Sequence, residues 1–299
     1  MRGAEPLLDI VIVVSGNDRQ HLETCLESLE RFPLTLGPTV IHVVDNATRD
    51  CTIGMVKARF PGVQLHELGW NAGFCVANNV GLRAGRASYA LILNPDTEFI
   101  ESSLDQLVST LEERRDIGVI GCRLIRRDGS FDHAAKRSFP TPLGALAHFM
   151  GVGRRAEAGG RMAQYRVPDL AEHEEGEVDA VNGAFMLVRR DAMNGVGLFD
   201  EGYWIYMEDL DWCYRFKQAG WKVWYDGRTT VIHVKGGTTV RRGHRGLRHN
   251  FSFHRGMARF YRKFYAGKNP FFDLAIYSAV WAKFGISAAR SAVARRSIV

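Results

Sequence analysis

The chemistry available to this chain starts from its carboxylates. Asp96 closes the run Tyr89-Ala90-Leu91-Ile92-Leu93-Asn94-Pro95-Asp96, in which a continuous apolar stretch, as expected of a strand buried on both faces, ends abruptly in polar residues. Pro95 lacks an N–H and cannot continue a central ladder, so Asn94, Asp96 and Glu98 are expected just outside the carboxyl end of a strand. Open α/β sheets bind ligands there. A carboxylate at that position suits Mg²⁺ or Mn²⁺, which takes one or two protein carboxylates together with substrate phosphates. Taken alone, Asn-Pro-Asp is also ordinary turn chemistry. A second acidic group, Glu208, Asp209 and Asp211, places three acids in four positions at the start of a helix. Capping accounts for one or two of them, at about 0.3 to 1 kcal/mol each. Trp204, Tyr206 and Trp212 flank the group and could form a sugar-stacking surface.

The elements that must carry these residues follow from length and periodicity. With 299 residues, 46% of them hydrophobic and 24% charged, the chain has room for one large α/β domain or a domain with an appendage. Five scattered cysteines without a CxxC pair suggest neither a disulfide framework nor a zinc site, and fit a reducing cytoplasm. The apolar run Ile10 to Val14 is too short for a secretory signal and reads as the first strand, Leu8 to Val14. Ser15 to Asp18 then turn into a helix with Leu22, Cys25, Leu26 and Leu29 at helical spacing. Strands are expected at Thr39 to Val44, ending in Asp45, and at Val63 to Leu68, followed by a turn containing Gly73 and a segment with Asn78. Strands alternating with helices imply right-handed crossovers and a mostly parallel sheet. Neither GxGxxG nor GxxxxGK[ST] follows the first strand, which argues against a dehydrogenase and a P-loop enzyme.

Further along, a helix is expected near Ser102 to Glu113 and a strand near Gly118 to Ile125. The stretch Arg126 to Gly176 reads as a long irregular excursion over the active face. Its acidic end, Glu172 to Asp179, reads as a solvated charge run. Val178 to Arg189 is expected as one strand bearing Gly183, and Trp221 to Tyr225 and Thr230 to Val234 as two more. His233, alone in such a strand, would ordinarily be a satisfied core residue. From Arg241 to Lys268 there are nine Lys or Arg and no acid, with Leu247, Phe251, His254, Tyr261 and Phe264 along a rough helical face. Pro270 to Val299, with Asp273 and Lys283 inside it, is a poor spanning helix. It reads either as an interfacial helix on anionic lipid or as one that packs on a partner or on the core.

Taken in order, Val43-Val44-Asp45-Asn46, Asn71-Ala72-Gly73-Phe74 with Asn78-Asn79, Leu93-Asn94-Pro95-Asp96, Asn182-Gly183-Ala184, Phe199-Asp200-Glu201, Glu208-Asp209-Leu210-Asp211-Trp212 and His233 with Gly236-Gly237 resemble the family 2 glycosyltransferases. Within them the chain is most similar to the rhamnosyltransferase branch of bacterial cell-surface polysaccharide synthesis. The resemblance implies a GT-A fold: a Rossmann-like donor half (about 1–125) joined to an acceptor half (126–240) around one mixed, mostly parallel sheet, with a basic helical extension at 241–299. It implies that Asp45 meets the nucleotide base under the Ser15 to Asp18 turn, and that Gly73, Asn78 and Asn94 line the nucleotide-sugar pocket. Asp96 would ligate Mg²⁺ or Mn²⁺; because Asn94 replaces the first acid of the family's DxD motif, that binding would be weaker or would lean on His233. Asp209 would be the catalytic base supported by Glu208 or Asp211, and Gly183, Trp204, Tyr206 and Trp212 would border the acceptor. Sugar transfer needs the leaving group neutralised on one side and a hydroxyl deprotonated on the other, so a single displacement with inversion is expected. The expected partners are a nucleotide-diphosphate sugar, with dTDP-rhamnose ahead of a UDP-hexose, and a glycan or polyprenyl-diphosphate-linked acceptor. Work at the cytoplasmic face of the inner membrane is expected, and no nucleic acid. The competing classes are a catalytically silent scaffold and a nucleic-acid-binding protein, the latter resting on the basic segment alone.

Overall fold

The computed structural model describes residues 5–141, 167, 169–234, 240–241 and 244–296. Most of the irregular excursion expected at 126–176 and the Gly236-Gly237 pair lie outside the described residues. The donor half is built as its periodicity predicts. β1 (Leu8–Gly16), β2 (Thr39–Thr48), β3 (Gln64–Glu67) and β4 (Tyr89–Leu93) pair in parallel in the order β3-β2-β1-β4. Every residue of β4 is buried, the pattern of a strand covered on both faces. The crossovers are α1 (Arg19–Arg31), which buries Leu22, Cys25, Leu26 and Leu29, α2 (Thr52–Arg59) and α3 (Phe74–Ala84).

The polar end of β4 is shorter than expected. Thr97–Phe99 forms a further strand, β5, so Glu98 lies in a ladder and not in the loop. Then come α4 (Ser103–Glu113), β6 (Ile117–Ile125) and the two-residue β7 (Lys136–Arg137). The single strand expected from Val178 to Arg189 is three: β8 (Glu175–Val178), β9 (Ala180–Val181) and β10 (Phe185–Arg189). The break at 182–184 has a local cause. The Asn182 side chain accepts the Ala184 N–H (2.9 Å) and the Asn182 carbonyl accepts the Phe185 N–H (3.0 Å), closing a tight turn. After α5 (Arg190–Val196), which the periodicity did not announce, and α6 (Glu208–Gln218), the two strands expected at 221–225 and 230–234 are one, β11 (Lys222–His233). A bulge between Asp226 and Thr230 joins them, shifting the register against β6.

β10 runs antiparallel between β4 and β6, β11 lies parallel to β6, and β5 and β8 pair antiparallel with β11. The nine strands make one mixed sheet with a parallel donor half. A hairpin of β12 (Val240–Arg241) and β13 (His244–Arg245) leads to α7 (Leu247–Phe264) and α8 (Pro270–Arg296).

Candidate active site

Ser15, Asp45 and Asn94 stand at the carboxyl ends of β1, β2 and β4, because parallel register aligns Ile12 with Leu93 and Val14 with Asp45. Asp18 is buried, and its carboxylate accepts the Ser15 N–H (2.8 Å), so it shapes the turn from beneath. Asp45 similarly accepts the Thr48 N–H (2.8 Å). Asn78 is turned inward: its amide donates to the Phe74 carbonyl within α3 (2.9 Å), which takes it off the pocket wall. Asn46, unremarked in the sequence beyond its motif, is the brace here. Its carbonyl oxygen accepts the Ala72 N–H (2.7 Å) and its amide reaches the Gly73 carbonyl (3.4 Å). Gly73 has φ +90°, and a Cβ there would meet the Trp204 ring at 2.3 Å, so only glycine lets Trp204 close over the start of α3.

At the far side of β4 the chain brings three residues together. His233, at the end of β11, has its Nε2 3.4 Å from Asp96 Oδ1 and its Nδ1 3.5 Å from Asp132 Oδ2. All three are nearly or fully buried. Burial opposes a charge on His233, but the Asp132 and Asp96 carboxylates outweigh it and hold its pKa up at about 8. Burial likewise opposes ionisation of Asp96, and His233 beside it keeps the carboxyl below its usual range. A spacing of 3.4 Å is wide for a hydrogen bond and suits two neighbouring ligands of one hard cation. Asp132 stands where a carboxylate orients a metal-bound histidine. Among the described residues no group of three or more His, Cys, Asp or Glu stands together as a metal-ligand set, so a cation held by Asp96 and His233 would need substrate phosphates to complete its shell. Asp132 had no signal in the sequence, since it falls in the stretch read as irregular.

The acidic group on α6 divides into three environments. Asp209 is held by three donors: Arg137 Nη2 (2.6 Å) and the Gly183 N–H (3.1 Å) on Oδ2, and the Leu210 N–H (2.8 Å) on Oδ1. Gly183, expected to border the acceptor, thus lies directly against Asp209 and braces it. The neighbouring Ala184 carbonyl accepts the Asn94 N–H (3.0 Å), which ties Asp209 to the same sheet end as Asp96. Glu208 is buried, and its Oε2 has no hydrogen-bond partner among the described residues. Burial, aided by the Asp209 charge, pushes its carboxyl up to about 8. Asp211 is fully buried and bound by Lys263 (2.7 Å), Arg215 (2.7 Å) and the Tyr203 hydroxyl (3.1 Å), which makes it a tie between helices with no free side toward a substrate.

The aromatic surface expected around this group is smaller in the structure. Trp212 is fully buried between Phe199 and Phe216 and donates its indole N–H to the Gly197 carbonyl (2.8 Å), so it belongs to the core. Trp204 is only partly exposed, with the Arg248 guanidinium 3.9 Å over its ring. Tyr206 is partly exposed and sits edge-on to Phe253.

Comparison with known proteins gives the family and the fold. Residues 10–193 match the model of glycosyl transferase family 2. The chain is 31% identical over 242 residues to the N-acetylglucosaminyl-diphospho-decaprenol L-rhamnosyltransferase of Mycobacterium tuberculosis, covering 77% of each chain. It is 28% identical over 235 residues to the rhamnosyltransferase WbbL of Escherichia coli, covering 75% of this chain and 82% of that one. Among solved structures, the fold is similar to GalNAc-T7 with UDP, GalNAc and Mn²⁺ (TM-score 0.62, 14% identity). That match takes in 87% of this chain and 48% of the other, about half its length. It is also similar to the mannosyltransferase PcManGT of Pyrobaculum calidifontis with GDP-Man and Mn²⁺ (TM-score 0.58, 16% identity, 98% of this chain and 76% of the other).

Proposed function

Since this chain belongs to glycosyl transferase family 2, we propose that it moves L-rhamnose from dTDP-rhamnose to a hydroxyl of a polyprenyl-diphosphate-linked or other glycan acceptor, with inversion and with help from Mg²⁺ or Mn²⁺. The observation that carries this reading is the pairing of Asp96 and Asp209 at one sheet end through the Asn94–Ala184 and Gly183–Asp209 hydrogen bonds. One carboxylate faces the leaving group and the other the incoming hydroxyl. The names of the mycobacterial and enterobacterial relatives support the sugar, and the former supports a lipid-linked acceptor.

In this reading, the Ser15 turn and Asp45 grip the donor's nucleoside. Asp96 and His233 hold the cation, with Asp132 steering the imidazole. Bound there, a divalent ion supplies positive charge to the departing diphosphate. Asp209 takes the proton from the acceptor hydroxyl as that oxygen attacks the anomeric carbon from the face opposite the diphosphate. Arg137, Gly183 and Leu210 fix the direction of the carboxylate; Oδ2 accepts two of these bonds, and Oδ1, which accepts only the Leu210 N–H, keeps a lone pair for the proton. Glu208, carrying its proton at neutral pH, is not the resting base. The chain is proposed to work on the cytoplasmic face of the membrane.

The test is transfer from dTDP-rhamnose to a short-chain polyprenyl-diphosphate-linked N-acetylglucosamine with Mn²⁺, with product mass and anomeric configuration measured. Inverted product is expected, and Asp209→Asn should lower kcat by roughly 10² to 10⁴-fold with donor binding kept. Transfer only from a UDP-hexose would replace the donor. No transfer from any nucleotide sugar would sink the proposal.

A further inference from the structure

The two faces of the C-terminal hairpin are unlike. On its inner side, α7 is fastened to the catalytic body: Phe260 joins the main core, Arg259 binds Asp200 (2.7 Å), and Lys263 reaches both Asp200 (3.1 Å) and Asp211 (2.7 Å). α8 packs back on α7 through Ile276 and Val280 against Tyr261, and through Trp281 and Phe284 against Phe251. Its outer face is open. Between Phe271 and Ala289, nine positions are exposed and none is charged. They include Phe271 (84%), Leu274 (65%), Trp281 (39%) and Ile286 (56%). At 3.6 residues per turn these positions fall on one arc, so the helix has apolar surface on two sides and α7 covers only one.

A continuous uncharged face of this size on a helix about 40 Å long calls for an apolar cover. The charge around it says which. Residues 241–299 hold thirteen Lys or Arg and a single acid, Asp273, which is engaged by the Tyr261 hydroxyl and the Gly267 N–H (2.9 Å). Arg255, Arg262, Lys268 and Arg290 are exposed beside the apolar face. A second copy seated on it would bring these cations against their equals, a repulsive arrangement. An anionic lipid surface answers both features at once, with basic residues contributing about 1 kcal/mol each near such a surface. Among the described residues no helix is long and apolar enough to cross a membrane, so the helix would lie along the surface.

We propose that the exposed face of α8, together with Phe251 of α7, rests in the interfacial layer of a membrane rich in anionic lipid. The Lys263–Asp211 and Arg259–Asp200 pairs fasten the hairpin that carries this face to the catalytic body. This deepens the lipid-linked acceptor reading above, and its test reads the two separately. The full chain is floated with vesicles of phosphatidylcholine alone or with 30% phosphatidylglycerol, in low and high salt. The same is done for Phe271→Glu/Leu274→Glu and Trp281→Glu. Circular dichroism checks folding, sedimentation checks self-association, and transfer is assayed on a water-soluble acceptor.

The chain should bind the anionic vesicles at low salt, weaken at least tenfold in high salt, and lose at least tenfold in the folded variants, whose transfer to the soluble acceptor stays. Absence of vesicle binding, or binding unchanged in folded variants, overturns the proposal whatever the transfer assay gives. So does a dimer that the variants dissociate. Vesicle binding without any transfer leaves the docking standing and removes only the enzymatic reading. Should both variants fail to fold, Arg262→Gln/Lys268→Gln takes their place, with the same tenfold loss expected and unchanged binding again overturning the proposal.

Discussion

Glu208 and Asp209 are neighbours in the chain but not in environment. Asp209 meets a guanidinium and two N–H groups, whereas Glu208 is buried beside its neighbour's charge with no hydrogen-bond partner for Oε2 among the described residues. The consequence is measurable in stability. Glu208 titrates near 4.5 unfolded and about 8 folded, so between those values the folded chain holds a proton that the unfolded chain has lost. Its contribution is fully present below about pH 4.5 and lost as pH rises through about 8. Glu208→Gln, which cannot ionise, should flatten this loss. Its melting temperature should exceed the parent's at pH 8.5 by more than at pH 5, and equal differences at both pH values would refute the raised pKa. The acids of α6 were legible as a group, because three carboxylates in four positions exceed what capping needs. Their division of labour was not, since it depends on Arg137, Lys263 and Gly183, remote in the chain.

At the scale of elements, the first turn of α6 is held by α7. Tyr206 (φ 72°) and Met207 (φ 73°) enter it through a left-handed turn that costs non-glycine residues conformational energy. The backbone there packs against Gly256 of α7, whose missing side chain admits it; a Cβ would lie 2.9 Å from the Tyr206 carbonyl oxygen. Asp211 also binds Lys263 and Arg215. Asp211→Ala removes a fully buried carboxylate from two cations, and losses of roughly 3 to 5 kcal/mol are expected of such a change. A urea titration giving less than 1 kcal/mol would mean that the hairpin is not fastened through this residue. One expectation fails at this scale: Trp212, expected to border the acceptor, fills the core beside Phe199. On α7, Arg259 and Lys263 are consumed by Asp200 and Asp211. Helical periodicity locates a face and does not say what that face meets.

Across the whole molecule the charge is polarised. The net charge of +6 hides thirteen Lys or Arg against one acid in 241–299, while the remainder carries 26 against 32. In the function proposed above, a cation beside Asp96 would offset the acidity of the sheet end that gathers Asp45, Asp96, Asp132 and Asp209 when a diphosphate binds. A nucleotide sugar and Mn²⁺ should stabilise the chain together by about 2.7 kcal/mol at a hundredfold excess over Kd. In a thermal-shift series the gain should vanish with EDTA and in Asp96→Ala and persist in Asp209→Asn. An equal gain without metal would remove the role given to Asp96 and His233.

By itself the sequence determined the alternation of strands and helices in the donor half, the burial of β4, the polar turn after it and the helix opening at Glu208. Each is written in local periodicity and turn chemistry, which act over a few residues. Only the tertiary structure decided that Asp132 stands behind His233, that Arg137 and Gly183 aim Asp209, that Asn78 and Trp212 turn inward, and that two expected strands are one bulged β11. Those outcomes depend on which strands become neighbours, a choice made by packing nine strands into a single buried sheet. Pairings such as Arg137–Asp209, 72 residues apart, exist only once that packing is complete.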